Sequence, residues 1–449
     1  MSTRRSSARE VAANVLARVE KDTAYAAAAL DAEIERAVEL DGRDKGLATE
    51  LVYGTLRVLP WLTARIERHA KKGIGKLEPH SRAHMLLAAY QVTFLTRIPA
   101  FAAVSEAVSG VTARSGPKVG AFANAVLRKV AADAAREAPT FAAAAAAAMA
   151  PWLIDALTCA RGEEGARAFV AAGDEPPPVG LRLEESRAEG GPDPREAWLP
   201  RLLEAAPTAT FALGLASPLA ILARGAGRIE RLPGAAEGRF LVQEEGSQVV
   251  ALAVGARPGE QVLDACAGRG NKTSLLARRV LPGGAVDACD LHASKLERLK
   301  TEVARLGVAP RATFAVDWTA GSGDVTALYD RVLVDAPCSG TGTLRRRPDL
   351  ALRRASEDLA ALAAMQIAIV ARAAEHVRPG GRLVFAVCSV LREEAEDVVA
   401  ALAERAPTLK LAPFDAPELR AITGDAPTLR LLPQVHGTDG YFLASFIRV

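Results

Sequence analysis

The chain carries almost no net charge. Its 56 lysines and arginines stand against 53 aspartates and glutamates, leaving +3 over 449 residues. A protein that binds a polyanion across much of its surface is basic overall, so any nucleic-acid contact here must come from a local patch. Cysteine is scarce as well. The five residues Cys159, Cys266, Cys289, Cys338 and Cys388 are scattered, odd in number and never spaced CxxC. That excludes a disulfide framework and a zinc ribbon, and favours a reducing compartment. The six histidines show no metal-ligand spacing. Long apolar runs are missing too. "MSTRRSSAREVAANVL" lacks the apolar core of a secretory signal. "FAAAAAAAMAP" is too short and too weakly hydrophobic to span a bilayer, and reads as a helix that Pro151 ends. A cytoplasmic protein with no metal and no membrane segment is expected. Two phosphate-cradling signatures are absent: "GRGNKT" lacks the third glycine of GxGxxG, and no GxxxxGK[ST] occurs there. There is no internal repeat.

What is present is ample apolar material. Half the residues are hydrophobic and 24% are charged, the balance of a globular protein, and the length suggests two or three domains. Residues 1–135 read as a helical bundle. "AREVAANVLARVE" puts Val11, Val15, Leu16 and Val19 on one face, and "RDKGLATELVYGTLRVLPWLTARIERHA", "EPHSRAHMLLAAYQVTFL" and "KVGAFANAVLRKV" repeat the pattern. Residues 136–240, with "DEPPPVGLRL" and "RAEGGPDPRE", are rich in turn residues and read as a small mixed α+β insertion. From 241 to 449, "QVLDACA", "GAVDACD", "ATFAVDW", "DRVLVDAP" and "RLVFAVCS" alternate with helical stretches, and "GYFLASFIRV" closes the chain as a further strand. Near-continuous apolar strands alternating with helices predict a doubly wound, Rossmann-like α/β sheet.

In such a sheet, ligands bind beyond the carboxyl ends of the strands. The first three tips carry Asp264, Asp290 and Asp317. Each alone is as readily a helix cap. On consecutive tips, with Gly268 and Gly270 letting the backbone turn, they suit a nucleoside. A cationic sulfonium cofactor has no pyrophosphate to cradle, so acidic tips serve it better than a long glycine loop.

Cys266 and Cys289 read as small core residues, and Cys159 as helical packing. Cys338 and Cys388 end the fourth and fifth strands, with Asp335 close by. An inert buried thiol is the commoner fate of either alone. Two on neighbouring tips favour a nucleophile. Carbon 5 of a pyrimidine is a poor nucleophile, but a thiolate added at carbon 6 makes the ring an enamine that can attack a methyl group. Amine methylation needs no cysteine, and would favour an aromatic wall after Asp/Asn-Pro-Pro rather than Asp-Ala-Pro-Cys. Residue chemistry does not rank the two thiols.

At these residues the chain resembles the bacterial RsmB (Fmu/Sun) family of ribosomal RNA cytosine-5 methyltransferases. "RDKGLATELVYGTLR" and "NAVLRKV" resemble its NusB-like helical domain. "FLVQEEGSQVVAL" resembles the lead into its catalytic domain, "VDAPCSGTGTLRRRPDL" its fourth motif, and "HGTDGYFLASF" its last strand. The resemblance implies S-adenosylmethionine as cofactor and small-subunit ribosomal RNA as partner. It implies that Cys266, Ala267, Gly268, Arg269, Gly270, Asn271 and Lys272 wrap the methionine part, that Asp290 holds the ribose, that Asp317 lies near the adenine, and that Asp335 sits between cofactor and base. It makes Cys388 the nucleophile and Cys338 the residue for product release. Two departures stand out. Ala267-Gly268-Arg269-Gly270-Asn271-Lys272 replaces the family's Ala-Ala-Pro-Gly-Gly-Lys, with Asn271 expected to tolerate an unusual backbone angle. Val387 stands where a threonine commonly precedes the nucleophile.

On this reading the target cytosine leaves its stack. Asp335 and the Pro337 carbonyl would meet its N3–N4 edge, and Lys272 would pair with Asp335 or a neighbouring carboxylate. Arg345, Arg346 and Arg347, then Arg353 and Arg354, are expected to contact phosphates, and Lys71, Lys72 and Lys76 to extend that surface. His436 and Asp439 are expected to form a turn. A monomer is expected. Two other readings stay open: the same chemistry on transfer RNA, and a non-catalytic RNA-binding assembly factor.

Overall fold

A computed structural model describes residues 7–184 and 193–449. The chain forms two compact units. One holds the described chain to Asp155 together with Ala166–Pro176 and Leu344–Arg353; the other holds Ala156–Gly165, Pro177–Thr343 and Arg354–Val449.

The first unit is helical, as its amphipathic pattern predicts. Helices α1 (Ala8–Lys21), α2 (Ala26–Arg36), α3 (Gly42–Arg57), α4 (Leu59–Glu67), α5 (Pro79–Phe94), α6 (Ala100–Ser115) and α7 (Pro117–Glu137) are followed by α8 (Phe141–Ala148) and α9 (Pro151–Ala171). Ser7 caps α1 by accepting from the Glu10 N–H, and the side chain of Asp41 caps α3 through the N–H groups of Arg43 and Asp44. The stretch from Arg43 to Ala70 reads as one continued pattern, yet it breaks at Val58. Pro60 has no N–H to donate back into α3, so it serves instead at the start of α4. Val11, Leu16, Leu51, Val52, Leu87 and Leu127 are among the buried side chains of a shared core. A boundary at 135 would cut α7; the helical unit runs on through α8 and takes back two later segments. Segments that return from far along the chain carry no compositional mark. Among the described residues, no single helix is long and apolar enough to cross a membrane.

One returning segment is "LRRRPDLALR". Asp349 is buried and accepts from the Ala26 N–H at 3.3 Å, capping α2. Arg353 donates to the carbonyls of Thr23 and Ala24, pairs with Asp349 at 3.4 Å and lies 4.7 Å over the Tyr25 ring.

The second unit begins with a four-stranded antiparallel sheet: β1 (Val179–Leu183), β2 (Thr210–Leu213), β3 (Ala220–Arg224) and β4 (Phe240–Val242), in the order β2-β3-β1-β4. Helix α10 (Pro194–Ala205) packs on it through Trp198, edge-on to Phe240 at 6.1 Å. Helix α11 (Glu245–Ala253) leads into the main sheet. That sheet contains β5 (Gln261–Asp264), β6 (Ala285–Asp290), β7 (Ala312–Ala315), β8 (Tyr329–Asp335), β9 (Val377–Val387), β10 (Leu409–Leu411), β11 (Thr428–Leu431) and β12 (Tyr441–Arg448). The order is β10-β12-β9-β8-β5-β6-β7, with β11 also on β12. Strands β5 to β9 run parallel, while β12 pairs antiparallel with β9. Helices α12 (Asn271–Arg279), α13 (Ala293–Arg305), α14 (Glu357–Ala374) and α15 (Glu396–Arg405) connect them. Parallel strands need crossovers, and helices on both faces bury Arg331–Val334 of β8 and Leu383–Val387 of β9. Strand order reverses beside β5, which opens a crevice beyond the tips of β5, β6 and β8.

Candidate active site

The loop after β5 turns on two glycines. Gly268 (φ +58°) and Gly270 (φ +87°) both sit in the left-handed region. A Cβ on Gly270 would also lie 2.6 Å from Leu299, whereas space beside Gly268 is open. The Gly268 N–H donates to Asp290 Oδ2 at 3.1 Å, and Trp318 Nε1 donates to the Ala265 carbonyl at 2.8 Å. Asp264 is buried. Its Oδ2 accepts from Thr273 at 2.7 Å, while Oδ1 has no partner. Burial pushes this carboxyl up to about 6. Burial, with Asp264, Asp335 and Asp290 nearby, also pushes the Cys266 thiol well up, which makes it a poor nucleophile.

Asn271 departs from expectation. It is the first residue of α12 and has no positive φ. Its carbonyl accepts from Arg182 at 2.5 Å. Arg182, on β1, is fully buried and also donates to Gln243 Oε1 (2.6 Å) and Ser274 Oγ (2.8 Å), and pairs with Glu184. One guanidinium thus ties the small sheet to the start of α12, which carries Lys272. Arg182→Met would leave several buried acceptors without donors. Glu184 keeps Arg278 at 3.2 Å, so the loss expected in urea unfolding is about 3 kcal/mol, the low end for a broken buried pair.

Lys272 reaches Asp335 at the tip of β8, with Nζ 2.5 Å from Oδ2. Burial pulls its ammonium down, but Asp335, Asp264 and the Cys388 sulfur hold it above its ordinary value. Asp335 faces Ala386 in register, so Cys338 and Cys388 follow at neighbouring tips. Their sulfurs lie 3.3 Å apart, and both residues are half-buried. Hydrogen bonding to Cys388, then burial, then the Glu394 carboxylate push the Cys338 thiol well up, so Cys338 holds its proton. The Tyr441 phenol is pushed well up by burial, and by Glu244, Cys388, Asp439 and Asp335.

Residues 6–132 match the NusB family, and residues 251–447 match the family described as 16S rRNA methyltransferase RsmB/F. In Bacillus subtilis (strain 168), the protein named "Probable ribosomal RNA small subunit methyltransferase B" is 31% identical over 452 residues, covering 98% of this chain and 99% of its own. This chain belongs to the RsmB/F methyltransferase family. The crystal structure of PH0851 shares its fold, with a TM-score of 0.80 at 22% identity across 98% of both chains. NSun6 from Pyrococcus horikoshii, solved with SFG, an analogue of S-adenosylmethionine, has a TM-score of 0.55 at 19% identity over 67% of this chain and 98% of its own.

As an RsmB/F methyltransferase, the enzyme takes its methyl group from S-adenosylmethionine. The crevice fits that cofactor. It offers a cationic ligand the unpartnered Asp264 oxygen, the largely buried Asp290, and open space at Gly268. Asp290 already holds the N–H groups of Gly268 and His292, which aims the carboxylate. Arg269 is exposed and Ala267 buried, its N–H bonded to the Cys289 carbonyl. Asp317 is exposed, two residues beyond β7, and accepts from the Thr319 N–H and hydroxyl.

Several expectations for this RsmB/F enzyme need correction. Arg353 and Arg354 are not free to hold phosphates: Arg353 is spent on α2, and Arg354 donates to the carbonyls of Ser339 (3.3 Å) and Cys338 (3.4 Å). Arg345 and Arg346 are half-buried, and Arg347 is exposed. Lys71, Lys72 and Lys76 are exposed. Cys159 lies on α9 but is exposed, so it packs nothing. The Pro337 carbonyl already accepts from Gln366 at 3.0 Å. His436 Nδ1 accepts from the Leu432 N–H within its own turn, while Asp439 is buried with its N–H on Glu244. Among the described residues, no group of three or more His, Cys, Asp or Glu could hold a metal.

Sequence reasoning missed Arg182, Trp318, Gln366 and Glu394. Gln366 had a signal: it is the one polar residue among Leu359, Ile369, Val370 and Ala373 on the buried face of α14.

Proposed function

We propose that this protein methylates carbon 5 of a cytosine in small-subunit (16S) ribosomal RNA, through a covalent bond from Cys388 to carbon 6. The observation that carries this reading is the 3.3 Å contact between Cys338 and Cys388 at adjacent strand tips. An amine or ribose methyltransferase has no use for paired thiols. The RNA class rests on the names of relatives 31–32% identical over nearly the whole chain.

The loop Cys266–Lys272 and Asp290 hold the cofactor, with Asp317 at its outer edge. When bound, S-adenosylmethionine supplies an electrophilic methyl group. Asp335, fixed by Lys272, accepts from the N4 amino group of the flipped base and so orients its N3–N4 edge. Burial and the hydrogen bond to Cys388 push the Cys338 thiol up, so Cys338 keeps its proton and is the poorer nucleophile of the two. That assigns attack to Cys388. After methylation, carbon 5 bears both a methyl group and a proton. Cys388 is now a neutral thioether, so the anion that held the Cys338 proton is gone. Cys338 can lose that proton to solvent and take the one on carbon 5. The carbon–sulfur bond then breaks and its electron pair returns to Cys388. Arg345, Arg346 and Arg347 follow this loop in the chain and supply positive charge toward phosphates.

RNA carrying 5-fluorocytidine tests the proposal, because fluorine at carbon 5 cannot leave as a proton. With S-adenosylmethionine, a denaturant-stable protein–RNA complex should build up at about one per active chain. Methyl transfer to ribosomal RNA with no such complex, or a methyl group mapped to an amine or ribose, would sink the covalent reading. Activity on transfer RNA alone would replace the substrate and leave the chemistry intact.

A further inference from the structure

Glu394 looks, in sequence, like part of a solvated acidic run, "REEAED". In the structure it is fully buried. A buried carboxylate is tolerated only where donors satisfy it. Here Oε1 accepts from the Ser339 N–H (2.8 Å) and from Gln366 Nε2 (3.0 Å), and Oε2 accepts from the Ser339 hydroxyl. The helix that follows, α15, does not explain it: none of these donors belongs to that helix, so a helix-terminus role leaves the arrangement unaccounted for.

All of these donors lead to one cysteine. Ser339 is the residue after Cys338. Gln366 also donates to the carbonyl of Pro337, the residue before it, at 3.0 Å. Arg354 holds the carbonyls of Cys338 and Ser339 from outside. The network continues to the other thiol. Ser339 Oγ lies 3.2 Å from Thr341 Oγ1, which lies 3.1 Å from the hydroxyl of Ser389, the residue after Cys388. The backbone agrees: the Gly342 N–H donates to the Cys388 carbonyl at 3.0 Å. One buried carboxylate therefore sits at the root of both catalytic tips, with the Cys338 backbone gripped on both sides.

We propose that Glu394, acting with Gln366, is a positioning residue that sets the Cys338 thiol against Cys388 and thereby controls release of the methylated RNA. The inference rests on the covalent reading given above. Removing Glu394 should free Pro337-Cys338-Ser339 to shift. Glu394 bonds directly only on the Cys338 side, whereas Cys388 directly follows Val387, the last β9 residue paired with β12, so attack should suffer less than proton removal from carbon 5. Glu394 also presses the Cys338 proton on electrostatically. A neutral glutamine in its place should let Cys338 ionise at lower pH.

The test uses the full chain, an unmodified 16S ribosomal RNA transcript and labelled S-adenosylmethionine, quenched in denaturant over time. Glu394→Ala should slow decay of the methylated adduct by between ~10-fold and ~100-fold, the range for a misplaced reacting group. Adduct formation should stay within ~3-fold of the unmutated protein, as for a group used only in the later step. Since an emptied buried site could cost the fold, Glu394→Gln decides. It keeps the shape, should release faster than the alanine variant, and should shift the pH profile of release to lower pH. Ser339→Ala should give an intermediate delay. Release and pH profile unchanged in Glu394→Gln, or attack and release falling together with the melting temperature, would overturn the proposal. If the unmutated protein never forms an adduct, the covalent reading falls too. If it forms and clears one and the variants match it, only the role of Glu394 falls.

Discussion

Cys338→Ala should leave a protein that attacks and methylates RNA but does not let go. A denaturant-stable complex is expected on ordinary, unfluorinated RNA. Its decay should be slower by roughly 10²- to 10⁴-fold, the usual worth of a positioned acid–base group. The argument is one of charge. In the free site the Cys338 proton is held by its hydrogen bond to Cys388, 3.3 Å away. Attack on carbon 6 consumes the Cys388 charge, and Cys338 becomes the nearest sulfur able to take the carbon-5 proton. Alanine removes that base without touching the attacking atom. Bulk water then carries the proton away slowly. A gel-shifted band in denaturant, carrying the methyl label, reads the outcome. A variant that turns over normally would assign the base elsewhere, with a water molecule next in line.

The alternation of apolar strands and helices was legible because the buried ends of β8 and β9, Val332–Val334 and Leu383–Val387, read as unbroken apolar runs. The tip residues were legible for a related reason. A strand end is where an apolar run stops, so Asp264, Asp290, Asp335, Cys338 and Cys388 announce themselves by position. Periodicity marks the segment from Arg43 to Ala70 as helical, but the break at Val58 rests on one proline.

What stayed hidden were polar residues whose meaning lies in a distant partner. Arg353 and Asp349 belong to a segment that follows the Cys338 loop, yet they serve the start of α2, more than three hundred positions away. Glu394 sits beside exposed Glu396 and Asp397, and nothing local separates the buried one from the solvated ones. Arg182 reads as an ordinary strand arginine until Asn271, Gln243 and Ser274 close around it. The altered cofactor loop tolerates Asn271 in place of a second glycine because that residue opens α12 without a positive φ, its carbonyl held by Arg182.

Cys388→Ala should abolish methyl transfer, with a loss of roughly ten-thousand-fold or more, as expected when a covalent nucleophile is removed rather than a helper. No adduct should form on 5-fluorocytidine RNA. S-adenosylmethionine binding measured by calorimetry should hardly change, because the loop after β5 and Asp290 do not depend on that sulfur. The pairing of β9 with β8 and β12 is backbone bonding and should keep the fold intact. The double variant Cys338→Ala/Cys388→Ala sharpens the test. If Cys388 attacks, the complex that accumulates in Cys338→Ala disappears when Cys388 is also lost. If Cys338 attacks, Cys388→Ala is the variant that accumulates a complex, and the order of the two thiols is reversed. Because the sulfurs are in direct contact, proximity alone cannot rank them. Burial and the contact with Cys388 push the Cys338 thiol up, which makes it the poorer nucleophile and leaves attack to its neighbour.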